Sequence, residues 1–185
     1  MGGGLLPITY NKGSLLLLLG RERYDKNWSD FGGSKEGNES YLKTALREGE
    51  EELNGILGTG KQLANLVDRN LLATINNHDS YTSVVFRLKY DSRLPHYFNN
   101  NNRFIESRLK TTIEDSYNSK SGLFEKDYIK WFTLDEIQRD YTRFRPHFVP
   151  ILKSIVHCKD KFYNEFDKKS TRIDLINCRT RKRKI

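Results

Sequence analysis

Between Gly32 and Gly55 the chain runs GGSKEGNESYLKTALREGEEELNG, a glycine pair followed by one amphipathic helix that crowds Glu48, Glu50, Glu51 and Glu52 into its last turns. Like charges three and four residues apart destabilise a helix by about 0.2–0.5 kcal/mol per pair, and the carboxyl-terminal end of a helix dipole is the unfavourable end for anions. At about 100° per residue, Glu48, Glu51 and Glu52 share one face while Glu50 points away. A cation held among the three would offset the repulsion, and hard carboxylate oxygens select magnesium or manganese over softer metals. The plain alternative is a solvated acidic face, which is what charge runs on helices usually are.

The elements around this helix are strands. GLLPITYNKGSLLLLLGRER predicts two strands joined at Asn11 to Ser14, with Lys12-Gly13 as the turn. The LLLLL run has a strand's length and is far short of the roughly 20 residues a membrane helix needs. NWSDFGG predicts a short aromatic strand that ends in a glycine turn, and the helix then extends from Asn38 or Glu39 to about Leu53. Its expected apolar side is Tyr41, Leu42, Ala45, Leu46 and Leu53. LLATINNHDSYTSVVFRLKY predicts a hairpin turning near Asn76 to Ser80. The asparagines Asn99 to Asn102 suggest a loop, and RFIESRLKTTIEDSY an inserted helix. FEKDYIKWF returns to strand, TLDEI starts a short helix capped by Thr133, and RPHFVPILKSIVHCKDKFYNEF supplies a closing amphipathic helix.

The spacing Gly33, Glu39, Arg47-Glu48, Glu51-Glu52 matches all six anchors of the pattern G-x5-E-x7-R-E-U-x-E-E-x-G-U, in which U is a bulky aliphatic residue. On these residues the chain resembles the Nudix hydrolase family, and its layout is similar to the mRNA-decapping Nudix proteins of large DNA viruses. The resemblance extends over roughly the first 155 residues and implies an α/β fold, the Nudix α/β/α sandwich with a mixed sheet, for a domain at 1–166; the polar, basic stretch 167–185 has few apolar residues to bury and is expected to be a disordered tail. Gly49 and Asn54 are among the positions that depart from the pattern. Gly49 stands at an aliphatic position and places a flexible, unpacked point in the helix, at about 1 kcal/mol relative to Ala. Asn54 replaces a glycine, but Asn tolerates a left-handed helix end and Gly55 follows it.

The same resemblance implies that Glu48, Glu51 and Glu52 bind Mg2+ or Mn2+, that the carbonyl of Gly33 completes the site, and that Arg47 orients a glutamate. Glu39 braces the loop against the helix. A second acidic residue is implied six positions before Trp131, which is Glu125, with Asp127 as the competing choice. Glu51, Arg47 and Glu125 are therefore the catalytic candidates. Lys35, Arg21 and Arg23 are candidates for binding substrate phosphates, each weighed against an ordinary solvated charge. Trp28 and Phe31 could stack on a base, although strand aromatics are usually core. GTGK at Gly58 to Lys61 lacks the rest of a phosphate-loop pattern.

This set suits hydrolysis of a phosphoanhydride in a nucleoside-diphosphate-linked substrate. Two substrate classes remain open: capped RNA, and small molecules such as dinucleoside polyphosphates, diphosphoinositol polyphosphates or damaged nucleotides. A non-catalytic binding module on the same scaffold is the third reading. The formal charge of +8 favours anionic partners of either kind. No transmembrane segment or secretory leader is evident, so a cytoplasmic location is expected: nuclear if the basic RTRKRK stretch at 179–184 is an import signal, and that of the host cell if the viral resemblance holds. Cys158 and Cys178 have no CxxC spacing and suggest neither a disulfide framework nor a zinc site. Nothing in the pattern specifies an oligomeric state.

Overall fold

The computed structural model describes residues 1–78, 80–108 and 124–168. Strand β1 (Gly2–Asn11) and strand β2 (Ser14–Glu22) form the expected hairpin, paired from Ile8↔Leu17 to Asn11↔Ser14. Lys12 and Gly13 both take positive φ in the turn, at 49° and 81°. Leu15, Leu17 and Leu19 enter one core, Leu16 and Leu18 another, and all five are buried. That is why the run is continuous rather than alternating, since a strand covered on both faces has no polar side to present.

The predicted aromatic strand is two short ones, β3 (Trp28–Ser29) and β4 (Phe31–Ser34). Gly32 and Gly33 lie inside β4, paired with Gly4 and Gly3 of β1, so the expected glycine turn is a strand instead. The left-handed glycine of this connection is Gly37, at φ 49°. Helix α1 (Tyr41–Glu52) follows, then helix α2 (Lys61–Asn70), strands β5 (Leu71–Asn77) and β6 (Tyr81–Arg87), and helix α3 (Arg93–Arg108). Strand β7 (Lys126–Thr133) leads into helix α4 (Leu134–Arg139), a short 3-10 turn, and helices α5 (Val149–His157) and α6 (Lys159–Lys168).

The seven-stranded sheet has the central order β3-β2-β1-β6-β5, with β4 joined to β1 and β7 to β2. It is mixed: β1 pairs parallel to β6 and antiparallel to β2 and β4. One face packs on α4, α5 and α6 through residues such as Phe132, Ile137, Phe148, Ile151 and Phe162. The other packs on α1, α2 and α3 through Ala45, Leu63, Val67 and Phe98. The architecture is an α/β/α sandwich around a mixed sheet.

Several local expectations change. The asparagine run is helical: α3 contains it, and Asn99 and Asn102 are buried. Asn99 serves as a peptide mimic on the outer edge of β7, accepting from the Ile129 N–H at 2.8 Å and donating to the Ile129 carbonyl at 3.1 Å. The rest of the inserted-helix expectation, beyond Arg108, lies outside the described residues, as does the basic stretch 179–184. Helix α2 was not anticipated in the sequence. The closing helix is two helices with Cys158 at the break. Cys158 is disulfide-bonded, contrary to the expectation from spacing. Trp28 and Phe31 are core, at 6% and 0% exposure. Among the described residues no helix is long and apolar enough to cross a membrane.

Candidate active site

Helix α1 starts at Ser40, whose hydroxyl accepts from the Lys43 N–H at 3.2 Å. Its buried residues are Thr44, Ala45, Glu48, Gly49 and Glu52, whereas Tyr41 and Leu42 are exposed. Of the expected apolar side, Ala45 and Leu53 are buried and Leu46 packs against the core, and two of the glutamates share the inward face with them. Gly49 explains how the helix approaches so closely. A Cβ there would stand 2.5 Å from the Leu5 Cδ1 of β1. The position is therefore tightly packed, and the expectation of a loose point in the helix is corrected. At the helix end Asn54 takes φ 51°, and the Gly55 N–H donates to the Glu50 carbonyl at 2.9 Å, closing the turn as anticipated. Glu50, on the outer side, accepts from the Gly60 N–H at 2.7 Å.

The carboxylates of this helix divide between two cations. Arg47 reaches Glu48 at 3.0 Å, Glu51 at 3.3 Å and Glu39 at 3.3 Å, and donates to the Ser34 carbonyl at 3.1 Å. Glu39 also accepts from the Thr44 hydroxyl and the Glu36 N–H, bracing the connection before α1. Glu48 lies directly over Gly33, where a Cβ would stand 2.5 Å from its Oε1. Glu52 turns the other way, into the interior. Its Oε1 is 3.3 Å from Lys126 Nζ, and its Oε2 is buried without a hydrogen-bond partner.

Lys126, at 0% exposure, is also ion-paired with Glu22 and donates to the Ser29 hydroxyl at 2.8 Å. Arg145 reaches the same oxygen of Glu22 at 3.1 Å. Behind this group, the buried Asp30 accepts from the Tyr81 hydroxyl at 2.9 Å and from the Ser83 hydroxyl. A bulge where β2 meets β7, between Arg21 and Glu22, sets Lys126 on the α1 side of the sheet, above Gly20. A Cβ on Gly20 would stand 2.9 Å from the Lys126 Cγ and Cδ, so only glycine leaves room for the lysine stem.

Burial dominates the electrostatics. It raises the pKa of Glu48 and Glu51, in each case against the pull of Arg47, with Glu125 adding to the rise. Burial lifts Glu52 well above the usual carboxylate range, Lys126 opposes the shift, and Glu22, Glu125 and Glu48 reinforce it. Glu125 is raised by burial and then by Glu22. Burial works against the charge of Lys126, but Glu52 and Glu22 outweigh it and hold its proton above the ordinary lysine range. The same competition, with Glu39 and Glu48 as the partners, holds the Arg47 guanidinium firmly protonated.

Among the described residues no group of three or more acidic, histidine or cysteine side chains is assembled to hold a metal ion. The fit to a divalent cation lies in donor chemistry: Glu48, Glu51 and Glu125 are carboxylates whose charges disfavour one another, and Glu52 offers an orphaned buried oxygen. These residues suit a hard cation by type, without a closed coordination shell. The Gly33 carbonyl oxygen lies 2.5 Å from where a Cβ on Gly2 would stand, against β1.

The two choices for a second acid separate clearly in space. Asp127 is engaged by Arg21 at 2.8 Å and by Lys26 at 2.6 Å, whereas Glu125 interacts electrostatically with Glu48, Glu51 and Glu52. Arg21 is committed to Asp127 and stacks over the Tyr128 ring, 5.3 Å from its centroid. Arg23 donates to the Phe124 carbonyl at 2.8 Å and pairs with Glu106 at 3.3 Å, leaving its Nη2 buried without a hydrogen-bond partner. Lys35 is exposed. The inner group of Glu22, Ser29, Asp30, Lys126 and Arg145 was missed from sequence. The only signal for it was a lysine beside Glu125 in a strand otherwise alternating toward the core.

No family model matches the chain, and no curated protein matches it. Among solved structures, a Nudix hydrolase from M. smegmatis is similar at 14% identity and a TM-score of 0.45, covering 86% of this chain and 85% of the other. A C. elegans Ap4A hydrolase binary complex is similar at 16% identity and 0.44, covering 82% of this chain and 91% of the other. A NUDIX hydrolase from Nitrosomonas europaea follows at 17% and 0.43, covering 86% and 70%. These values assign the chain to no family.

Proposed function

We propose that this protein is a metal-dependent hydrolase of the Nudix type that cleaves a phosphoanhydride bond in a nucleoside-diphosphate-linked substrate. The observation that supports the reading is the pair Glu48 and Glu51 held by Arg47, coupled electrostatically to Glu125, together with the orphaned Oε2 of Glu52. Glu48, Glu51 and that one oxygen of Glu52 would hold Mg2+ or Mn2+, which supplies charge neutralisation at the phosphates and a more acidic bound water. Arg47 keeps Glu48 and Glu51 oriented. Glu125, raised in pKa by burial and then by Glu22, would take a proton. A binding module would have no use for a cluster of carboxylates that repel one another and the phosphates of its ligand.

The formal charge of +8 suits a polyanion, whether capped RNA or a small polyphosphate. The test is product analysis with Mg2+ or Mn2+ on cap-labelled RNA, free cap analogue, dinucleoside polyphosphates and diphosphoinositol polyphosphates. Release of a nucleoside diphosphate from long capped RNA with free cap spared selects decapping, and cleavage of the small substrates alone selects the small-molecule enzyme. No hydrolysis of any of them with either metal would overturn the proposal.

A further inference from the structure

We infer that Lys126 is a built-in cation that takes the inner half of the carboxylate cluster for itself, so that a divalent ion is confined to the outer half and meets Glu52 through one oxygen only. The inference rests on the metal-binding reading of Glu48 and Glu51 and deepens it. Lys126 has no exposure, and its ammonium contacts Glu22, the Ser29 hydroxyl and Glu52 Oε1. Arg145 supplies a second positive charge to Glu22. Glu22 and Glu52 therefore already share one cation, and Glu22 has a second in Arg145, so the position between them is filled before any metal arrives. The outer carboxylates Glu48 and Glu51 share a single cation, Arg47, with Glu39, three carboxylates to one positive charge, while Glu125 couples to both halves.

The geometry is specific to lysine. The stem crosses over Gly20, which has no side chain to block it, and the flexible ammonium can donate to three oxygens at once. With Oε1 engaged, Glu52 is held with Oε2 free, and that oxygen is the one without a protein partner. Lys126 acts as a positioning residue: it orients a ligand and excludes an ion from the position it fills.

The experiment is a count of bound Mn2+ per chain, by electron paramagnetic resonance titration of the metal-free protein, in the parent, Lys126→Met, Glu22→Gln and the double variant. Lys126→Met leaves Glu22 and Glu52 without their shared cation and is expected to bind one Mn2+ more per chain than the parent, a gain the double variant loses. Glu22→Gln alone is expected to leave the parent's count unchanged, because Glu22 faces the lysine rather than the metal. An unchanged count in Lys126→Met overturns the inference, and so does loss of an ion in Glu22→Gln. The latter variant removes a charge without opening a cavity and decides the matter if Lys126→Met fails to fold. A parent that binds no Mn2+ would instead count against the metal-dependent function, while the gain on removing the lysine is still read by difference.

Discussion

At the scale of single residues, charge and steric fit make opposite demands on the same helix. Glu51→Gln removes a charged donor from the outer carboxylates without touching the core, and it relieves repulsion in the metal-free protein. Hydrolysis is expected to fall by at least about 100-fold while the thermal midpoint stays level or rises. Activity near that of the parent would exclude Glu51 from the site. Gly49→Ala would ordinarily gain about 1 kcal/mol of helix propensity. Here the added methyl meets Leu5, so a net loss of about 1–2 kcal/mol is expected in urea denaturation, partly restored by Leu5→Val. Asp30 gives a pH signature. Burial raises its pKa from 3.8 to about 6, against the hydrogen bonds of Ser83 and Tyr81 that favour the charged form. The folded state therefore holds the proton more tightly than the unfolded one. Its contribution is full below about pH 4 and is lost as pH rises through about 6, on the order of 3 kcal/mol in all. Urea midpoints of metal-free protein between pH 3.5 and 7.5 should show this decline relative to Asp30→Asn; parallel curves would assign the titration elsewhere.

Among the elements, α3 shows how a polar sequence can be buried. Four successive asparagines suggest a loop because their side chains compete with the backbone for hydrogen bonds. In the folded chain one of them satisfies the outer edge of β7. Asn99→Ala would leave the Ile129 N–H and carbonyl buried without partners, and a loss of about 2–4 kcal/mol is expected by equilibrium unfolding. A loss below about 0.5 kcal/mol would mean that water replaces the side chain. The position of Lys126 likewise belongs to an element rather than to a residue. The bulge in β7, where Asp127 is passed over between Tyr128 and Lys126, shifts the alternation of that strand, and without it the lysine would face the other side of the sheet.

For the whole molecule, the buried and half-buried carboxylates concentrate repulsion between β2, β7 and α1. A divalent ion that binds the folded chain and not the unfolded one should stabilise it by mass action, about 2.7 kcal/mol at a hundred times the dissociation constant. Thermal melts with Mg2+ and then excess chelator are the check. An upward shift that chelation reverses is expected, and identical melts would remove the cation from the folded state.

The β1–β2 and β5–β6 hairpins, the glutamate helix, the Thr133 cap and the spacing of Arg47, Glu48, Glu51 and Glu52 were legible in sequence because each rests on local chemistry: periodicity, turn preference, capping, or fixed spacing along one helix. Glu48, Glu51 and Arg47 are neighbours on a single helical surface, and spacing alone places them. What tertiary structure decided is which carboxylates share a cation. Glu22, Glu52, Lys126 and Arg145 come from β2, α1, β7 and the segment before α5, and their encounter depends on a bulge, a glycine beneath a lysine stem, and a helix lowered onto β1 at Gly49. Coulomb attraction selects partners by distance and burial after folding, and distance between strands far apart in sequence is not encoded in any local pattern.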